Sequence, residues 1–186
     1  MYLRALKSGG LMSLNNEELT QNAFDNQMNA SIEDLFVDYK VPIYQFVYRY
    51  CQDEQLSHDI VQDTFIRFLK YQERYDDKKS SVKTYLFRMA YQLMINRLKR
   101  QSRFRRLLPF LYQQYRQPEL PHEDKLTIQE SLLKLPDKQR AVILLTYYHD
   151  QSQKEISKIL AIPVGTVKSR LHAALKRLKF LMEGIE

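Results

Sequence analysis

The side chains in this sequence with chemistry to offer are cations set among polar and aromatic residues, and the chemistry they suit is contact with a polyanion. No acidic residue occurs between Glu155 and Glu183. Within that span Val167, Leu171, Ala174, Leu178 and Leu181 recur at helical spacing and form one stripe to bury. At about 100° per residue, Thr166, Ser169, His172, Ala173 and Lys176 face away from the stripe, with Lys168 and Arg170 on its flanks. A helix buried on one side and basic on the other suits the second helix of a helix-turn-helix laid in a major groove. An ordinary helical hairpin with a solvated charged face has the same pattern.

A second basic zone lies far from the first. From Lys78 to Pro118 the chain carries Lys78, Lys79, Lys83, Arg88, Arg97, Lys99, Arg100, Arg103, Arg105, Arg106 and Arg116 with no acidic residue among them. Tyr71, Tyr75, Tyr85, Phe87, Tyr91 and Phe104 are interleaved with these cations. Cations that track phosphates, beside rings on which exposed bases stack at roughly 1–3 kcal/mol each, are what single-stranded DNA binding requires. Any one of these rings also suits a helical core.

The elements that must position these residues have their own signals. Ser152 followed by Glu155 is a capping box, so a helix starts there, with Ile156, Ile159 and Leu160 as its apolar face. Ala161-Ile162-Pro163 ends it, because proline disfavours helical geometry in the residue before it and suits the first turn of a new helix. Upstream, Ser31-Ile32-Glu33-Asp34 has the form of an N-cap before Leu35, Phe36, Tyr39, Ile43, Phe46, Val47 and Tyr50, with Pro42 expected to kink or divide the helix. A second helix is expected from about Asp53 to Tyr71, burying Leu56, Ile60, Thr64, Phe68 and Leu69 and leaving Asp59, Gln62, Asp63 and Arg67 on a polar face. Residues 72–81 lack periodicity and are expected to be a loop. A third helix follows from about Val82 past Arg100, with Tyr85, Leu86, Met89, Leu93 and Asn96 or Arg97 along one side.

The expected organisation is a flexible extension or short helix over 1–30, a helical domain over 31–106, a proline-containing linker over 107–124, and a second helical domain over 125–186. The last opens with Leu126, Ile128, Leu132 and Leu133, breaks at Leu135-Pro136, and continues with Ala141, Ile143, Leu144, Leu145, Tyr147 and Tyr148 before the capping box. Only four glycines are present, three of them near the ends, and no alternating strand pattern occurs. The fold class is therefore all-α, two small helical domains joined by a flexible linker, the C-terminal one a four-helix domain with a helix-turn-helix.

Composition narrows the function further. The net charge is +7 and the sequence pI about 9.4, which favours an anionic partner, nucleic acid or an acidic membrane surface. No segment reaches the roughly 18 uninterrupted apolar residues of a membrane span. The N-terminus lacks the apolar run of a signal peptide, which points to the cytoplasm, and Met12 leaves a later start codon open. Cys51 is the only cysteine, and His58, His122, His149 and His172 lack ligand spacing, so no metal or cofactor is expected and Cys51 reads as a structural thiol. There is no phosphate-binding glycine loop, no nucleophile elbow and no carboxylate pair with a defined partner, so no enzyme, catalytic residue or small-molecule substrate is expected.

Taken in order, several segments resemble one family. His58-Asp59-Ile60-Val61-Gln62-Asp63-Thr64-Phe65, Thr84-Tyr85-Leu86-Phe87-Arg88-Met89-Ala90 and Ile95-Asn96-Arg97-Leu98-Lys99-Arg100 lie in the first domain. Leu135-Pro136-Asp137-Lys138-Gln139-Arg140 and the run from Ile162 through Pro163, Gly165 and Arg170 to His172 lie in the second. In this spacing they resemble the extracytoplasmic-function sigma factors of bacterial RNA polymerase, and the resemblance spans nearly all of the chain after residue 30.

The resemblance implies a role for each group. Asp59, Gln62, Asp63, Phe65 and Arg67 would dock on the clamp helices of the largest polymerase subunit, with the flap as a further polymerase contact. Tyr71, Tyr75, Lys78, Lys79, Lys83, Tyr85, Arg88, Arg97 and Arg100 would capture an unstacked base of the minus-ten element and hold the melted strand. Thr166, Lys168, Ser169, Arg170, His172 and Lys176 would read the minus thirty-five duplex. The linker would thread the RNA channel, and a membrane-bound anti-sigma protein would hold the chain inactive. The sequence departs from the family at Tyr85, where tryptophan is usual, at Gln92, at Asn96 and at Ala173, which replaces a common arginine, and His58 takes an acidic position. Two other readings of the same residues are a free-standing helix-turn-helix regulator and a helical interaction protein without a DNA role.

Overall fold

The structure, a computed structural model, describes residues 16–107 and 127–183. Every regular element in these residues is helical: α1 (Asn16–Cys51), α2 (Glu54–Tyr71), α3 (Val82–Leu107), α4 (Ile128–Leu133), α5 (Asp137–Tyr147), α6 (Gln153–Leu160) and α7 (Val164–Glu183), with a 3₁₀ turn at Gln72–Arg74. The expected linker lies outside the described residues except for Leu107, which closes α3. The chain forms two compact units, one through Val37 and one from Asp38 to Glu186.

Two expectations about the N-terminal part are corrected. Ser31 to Asp34 sit inside α1 and do not cap it, and the helix runs through Pro42 without a break. Pro42 lacks the N–H that would bond to the carbonyl of Asp38, a loss of one helical hydrogen bond that the helix absorbs. In the second unit α1 buries Ile43, Phe46, Val47 and Tyr50.

Asp53 caps α2, its carboxylate accepting from the Leu56 N–H at 2.9 Å. The helix then buries Leu56, Ile60, Val61, Thr64, Phe65 and Phe68, each large apolar side chain contributing about 1.5–3 kcal/mol. Thr64 enters this core because its hydroxyl donates to the Ile60 carbonyl at 2.6 Å. Leu69, expected inside, is 42% exposed. The 72–81 loop is tied by Asp76, which accepts from the Lys78 N–H at 3.0 Å and pairs with Lys79 at 3.1 Å. Ser81 then caps α3, accepting from the Thr84 N–H at 3.2 Å. Helix α3 buries Leu86, Phe87, Met89, Ala90 and Met94 and packs on α2.

In the C-terminal part Thr127 and Glu130 form a capping box that starts α4, and Ser152 and Glu155 form the expected one that starts α6. Ala141 to Leu145 are buried in succession, so the middle of α5 is enclosed on all sides. Tyr147 and Tyr148, which the periodicity adds to that run, are exposed. Helices α6 and α7 make the helix-turn-helix: Ala161 takes a left-handed conformation (φ 52°, ψ 51°) at the turn. Val164 opens α7 after Pro163, whose carbonyl accepts from the Thr166 and Val167 N–H groups. Val167 and Ala174 are fully buried, with Leu171, Leu178 and Leu181 half-buried along the same stripe. Cys51 donates from its thiol to the Val47 carbonyl at 3.2 Å, and burial pushes its pKa up, which suits a structural role. None of the described helices is long and apolar enough to cross a membrane.

Candidate nucleic-acid interface

The C-terminal turn of α2 and the first half of α3 enclose a cavity of about 350 Å³. Arg67, Tyr71 and Arg74 line it from the α2 side, and Tyr85, Arg88, Met89 and Gln92 from α3. Spacings of four and three along the first group, and of three and four along the second, put each set on one face. No carboxylate lines the cavity, so three guanidinium groups give it a positive potential. The Arg74 guanidinium lies 4.8 Å from the Tyr71 ring centroid and the Lys70 ammonium 5.7 Å, holding that ring by cation–π attraction.

Tyr75 meets the cavity residue Tyr85 with ring centroids 5.2 Å apart, and both pack on buried Phe68. The Tyr75 hydroxyl donates to the Ser80 carbonyl at 3.0 Å, which fixes the 72–81 loop to this ring cluster. Burial pushes the Tyr75 pKa up, with Asp77 and Asp76 acting in the same direction.

The sequence-predicted residues thus divide. Tyr71, Tyr85 and Arg88 meet in the cavity, and Tyr75 supports them. Arg67, grouped with the docking face by resemblance, faces the cavity instead. Arg97 pairs with Asp63 at 2.9 Å, joining a residue expected at the strand site to one expected at the docking face. Lys83 turns toward the C-terminal helices and donates to the His149 carbonyl at 2.8 Å. Lys78 and Arg100 are exposed, and Lys79 is exposed while paired with Asp76. Arg74 and Gln92 are cavity residues that the sequence reading did not select, although the Arg67–Tyr71–Arg74 spacing would have found the first.

On the outer side of α2, Gln55, Asp59, Gln62, Ile66 and Leu69 follow one another at spacings of four, three, four and three. Gln55 donates to the Asp59 carboxylate at 2.9 Å, and Ile66 is 63% exposed beside Leu69. Phe65 is a correction: at 5% exposure its ring belongs to the domain core, because it follows the buried phase of the helix.

Along α7, Lys168, Ser169, His172, Ala173 and Lys176 are exposed and Thr166 is half-buried, its carbonyl accepting from the Ser169 hydroxyl at 3.1 Å. Arg170 is half-buried, and its charge acts on Tyr91 of α3, where it offsets part of the upward push of burial on the tyrosine pKa. A Cβ added at Gly165 would meet nothing within 4 Å, so the first turn of α7 presents open backbone. Among the described residues no group of three His, Cys, Asp or Glu could hold a metal ion.

Comparison with known proteins places these surfaces in context. The sigma-70 region 2 family model matches residues 35–104 and the sigma-70 region 4 model residues 125–178. The chain is 35% identical over 173 residues to the ECF RNA polymerase sigma factor SigW of Bacillus subtilis, an alignment covering 82% of this chain and 91% of that protein. It is 30% identical over 161 residues to the ECF RNA polymerase sigma factor SigL of Mycobacterium tuberculosis, covering 83% and 90%. In fold it is similar to the sigma factor RpoE of Bartonella quintana, solved in complex with the anti-sigma factor NepR. The TM-score is 0.69 at 19% identity, covering 82% of this chain and 97% of that one. It is also similar to CnrH, solved in complex with the cytosolic domain of CnrY, with a TM-score of 0.63 at 23% identity, covering 85% and 91%.

Proposed function

Because the chain belongs to the ECF RNA polymerase sigma factors and so serves promoter recognition and transcription initiation, we propose that the cavity between α2 and α3 is where it holds the opened promoter strand. Sigma factors are non-catalytic subunits, so the work is done by binding energy. The observation that carries this reading is the convergence of Arg67, Arg74 and Arg88 with Tyr71 and Tyr85 around one cavity without a carboxylate. An unstacked base set against a tyrosine gains roughly 1–3 kcal/mol, which offsets the few kcal/mol that unstacking costs. The arginines meet the phosphates on either side. Lys78 and Arg100 extend the positive track beyond the cavity.

The domain arrangement follows the same reading. Residues 31–106 would serve polymerase docking and minus-ten melting, 107–124 the linker, and 125–186 the minus thirty-five element. Docking on the clamp helices falls to the α2 stripe of Asp59, Gln62, Ile66 and Leu69, with Asp63 at its edge. The flap is assigned to an apolar groove of about 260 Å³ in the C-terminal part, where Ile128, Tyr147 and Leu175 are exposed. The exposed face of α7 reads the duplex, with Lys168 and Lys176 on phosphates and Thr166, Ser169, Arg170 and His172 nearest the base edges. An anti-sigma protein, membrane-bound or not, is the regulatory partner that the two solved complexes support by analogy.

Run-off transcription with core polymerase on a promoter library tests the role, and permanganate reactivity of unpaired thymines tests the cavity. The expected result is initiation at defined sites, with Arg74→Ala/Arg88→Ala losing thymine reactivity while still binding core polymerase. Absence of defined starts overturns the role; normal opening by the double variant overturns the cavity assignment.

A further inference from the structure

The contacts between α1–α3 and α4–α7 have a form that neither promoter binding nor polymerase docking explains. Helix α1 ends at Cys51, and a helix leaves its last carbonyls without intrahelical partners. Here the C-terminal part supplies them. Gln129 donates to the Arg49 carbonyl at 3.3 Å, and Arg140 donates to the Tyr50 carbonyl at 2.7 Å. The Arg140 guanidinium also stands 5.3 Å from the Tyr50 ring centroid, and the Tyr50 hydroxyl donates to the Asp137 carbonyl at 3.4 Å. A cation at a helix C-terminus is favoured by the backbone dipole as well as by the hydrogen bond.

The α5–α6 loop completes the contact. It carries His149 into the first part, where the imidazole lies 5.7 Å from the Phe46 ring and 4.9 Å from the Phe87 ring and is 5% exposed. Lys83 binds the His149 carbonyl, and Arg49 lies over the ring of the neighbouring Tyr148 at 4.4 Å. Asp150, next in the loop, is held at φ 49°, a conformation most side chains avoid. Lys158 of α6 donates to the Lys79 carbonyl. One cation assigned to DNA contact, Lys83, is therefore occupied by the chain itself.

Not every group in this loop is satisfied. His149 Nε2 and both amide atoms of Gln151 are buried without a hydrogen-bond partner. Burial, together with the charges of Lys83 and Arg49 and against the pull of Asp150, pushes the imidazole pKa down to about 4, so the ring enters the Phe46–Phe87 site neutral. A contact of good caps around a poorly satisfied wedge is suited to opening.

We infer that the α5–α6 loop is an intramolecular latch: with His149 seated between Phe46 and Phe87, it holds the chain in a closed arrangement that withholds Lys83 from DNA and must open before transcription starts. The inference rests on the sigma-factor reading, and its test separates the two.

The test uses the full chain in a Cys51→Ser background. In one arm, dyes on cysteines placed at the exposed positions Gln101 and Arg177 report the separation of the two parts by energy transfer. His149→Lys, whose charge Lys83 and Arg49 repel, should lower the transfer, with helical circular dichroism unchanged. In the other arm, Gln129→Cys and Arg49→Cys are joined by a short cleavable thiol cross-linker, and run-off transcription with core polymerase is measured before and after cleavage. The latch requires the cross-linked chain to initiate about tenfold less than the same chain after cleavage. Equal activity before and after cleavage, or unchanged transfer in His149→Lys, overturns the latch while leaving the sigma-factor role intact. A chain that starts no transcription even when never cross-linked overturns the role, and the latch with it.

Discussion

Acidification should open the closed arrangement, and His149 sets by how much. In the closed chain its ring is enclosed by Phe46 and Phe87, its Nε2 lacks a partner, and Lys83 and Arg49 disfavour a second positive charge while Asp150 partly opposes them. The closed-state pKa is pushed down to about 4 from the ordinary 6.5 that a solvated imidazole has once the loop swings out. The group is depressed in the closed state, so closure is fully supported above pH 6.5 and loses support as the pH falls toward 4.

Between about pH 7.5 and about pH 5.5 the open form gains a proton that the closed form refuses, which shifts the closing equilibrium about tenfold, or ~1.4 kcal/mol. Energy transfer between dyes at Gln101 and Arg177 measures the closed fraction across this range. The chain carries three further histidines, so the contribution of His149 is the difference between the parent chain and His149→Asn, which fills similar space without titrating. A parent chain and a His149→Asn variant with the same pH profile would refute the reasoning, because the proton would then be taken up elsewhere.

Three further outcomes follow from single positions. Ile66→Glu places a charge on the exposed α2 stripe without touching the core, and should weaken association with core polymerase by about tenfold or more in a fluorescence competition assay while leaving the melting temperature within a few degrees. Gly165→Ala meets no neighbouring atom and should stabilise the chain by about 0.5–1 kcal/mol in thermal unfolding; if α7 lies close on the DNA backbone there, affinity for minus thirty-five duplexes falls at the same time. Lys168→Ala should lower the slope of log affinity against log salt by about one and weaken all minus thirty-five sequences alike if the lysine contacts phosphate, whereas loss confined to some promoters would assign it to base readout.

What the sequence made legible was local. The Ser152–Glu155 box and the stripe from Val167 to Leu181 depend on neighbours three and four residues apart, and both stand as read. The same reasoning overlooked Thr127–Glu130, an equally good box, because attention to Leu126 and Ile128 placed the helix start earlier. Pro42 misled for the opposite reason: its local cost is real, but the packing of Ile43, Phe46 and Val47 just beyond it outweighs one missing hydrogen bond. Leu69 shows the limit of apolar pattern alone, since it lies with Ile66 on the exposed side of α2, while Thr64, placed inside by its helical spacing, is buried as expected. The candidate site was half legible: Tyr71, Tyr85 and Arg88 followed from composition, while Arg74 and Gln92 needed the crossing of two helices. The Gln129 and Arg140 contacts, made to backbone carbonyls some 80 and 90 residues away, leave no periodicity to read.

These long-range contacts also explain how one chain can be both assembled and ready to open. A hydrogen bond from a charged donor such as Arg140 contributes about 1.5–3 kcal/mol and a neutral one about 1 kcal/mol, while each buried polar group left unpaired costs about 1–3 kcal/mol. The caps on Arg49 and Tyr50 and the Lys83 bond stand on the favourable side, and His149 Nε2 and the Gln151 amide on the other. The two sides are of similar size, so closure is decided by the burial of the His149 ring between Phe46 and Phe87, a few kcal/mol at most. A difference that small is within reach of any partner that binds the open form more tightly than the closed one. The residues that hold the chain shut are therefore not a second core. They hold the chain shut only weakly, and one proton on His149 shifts that balance about tenfold.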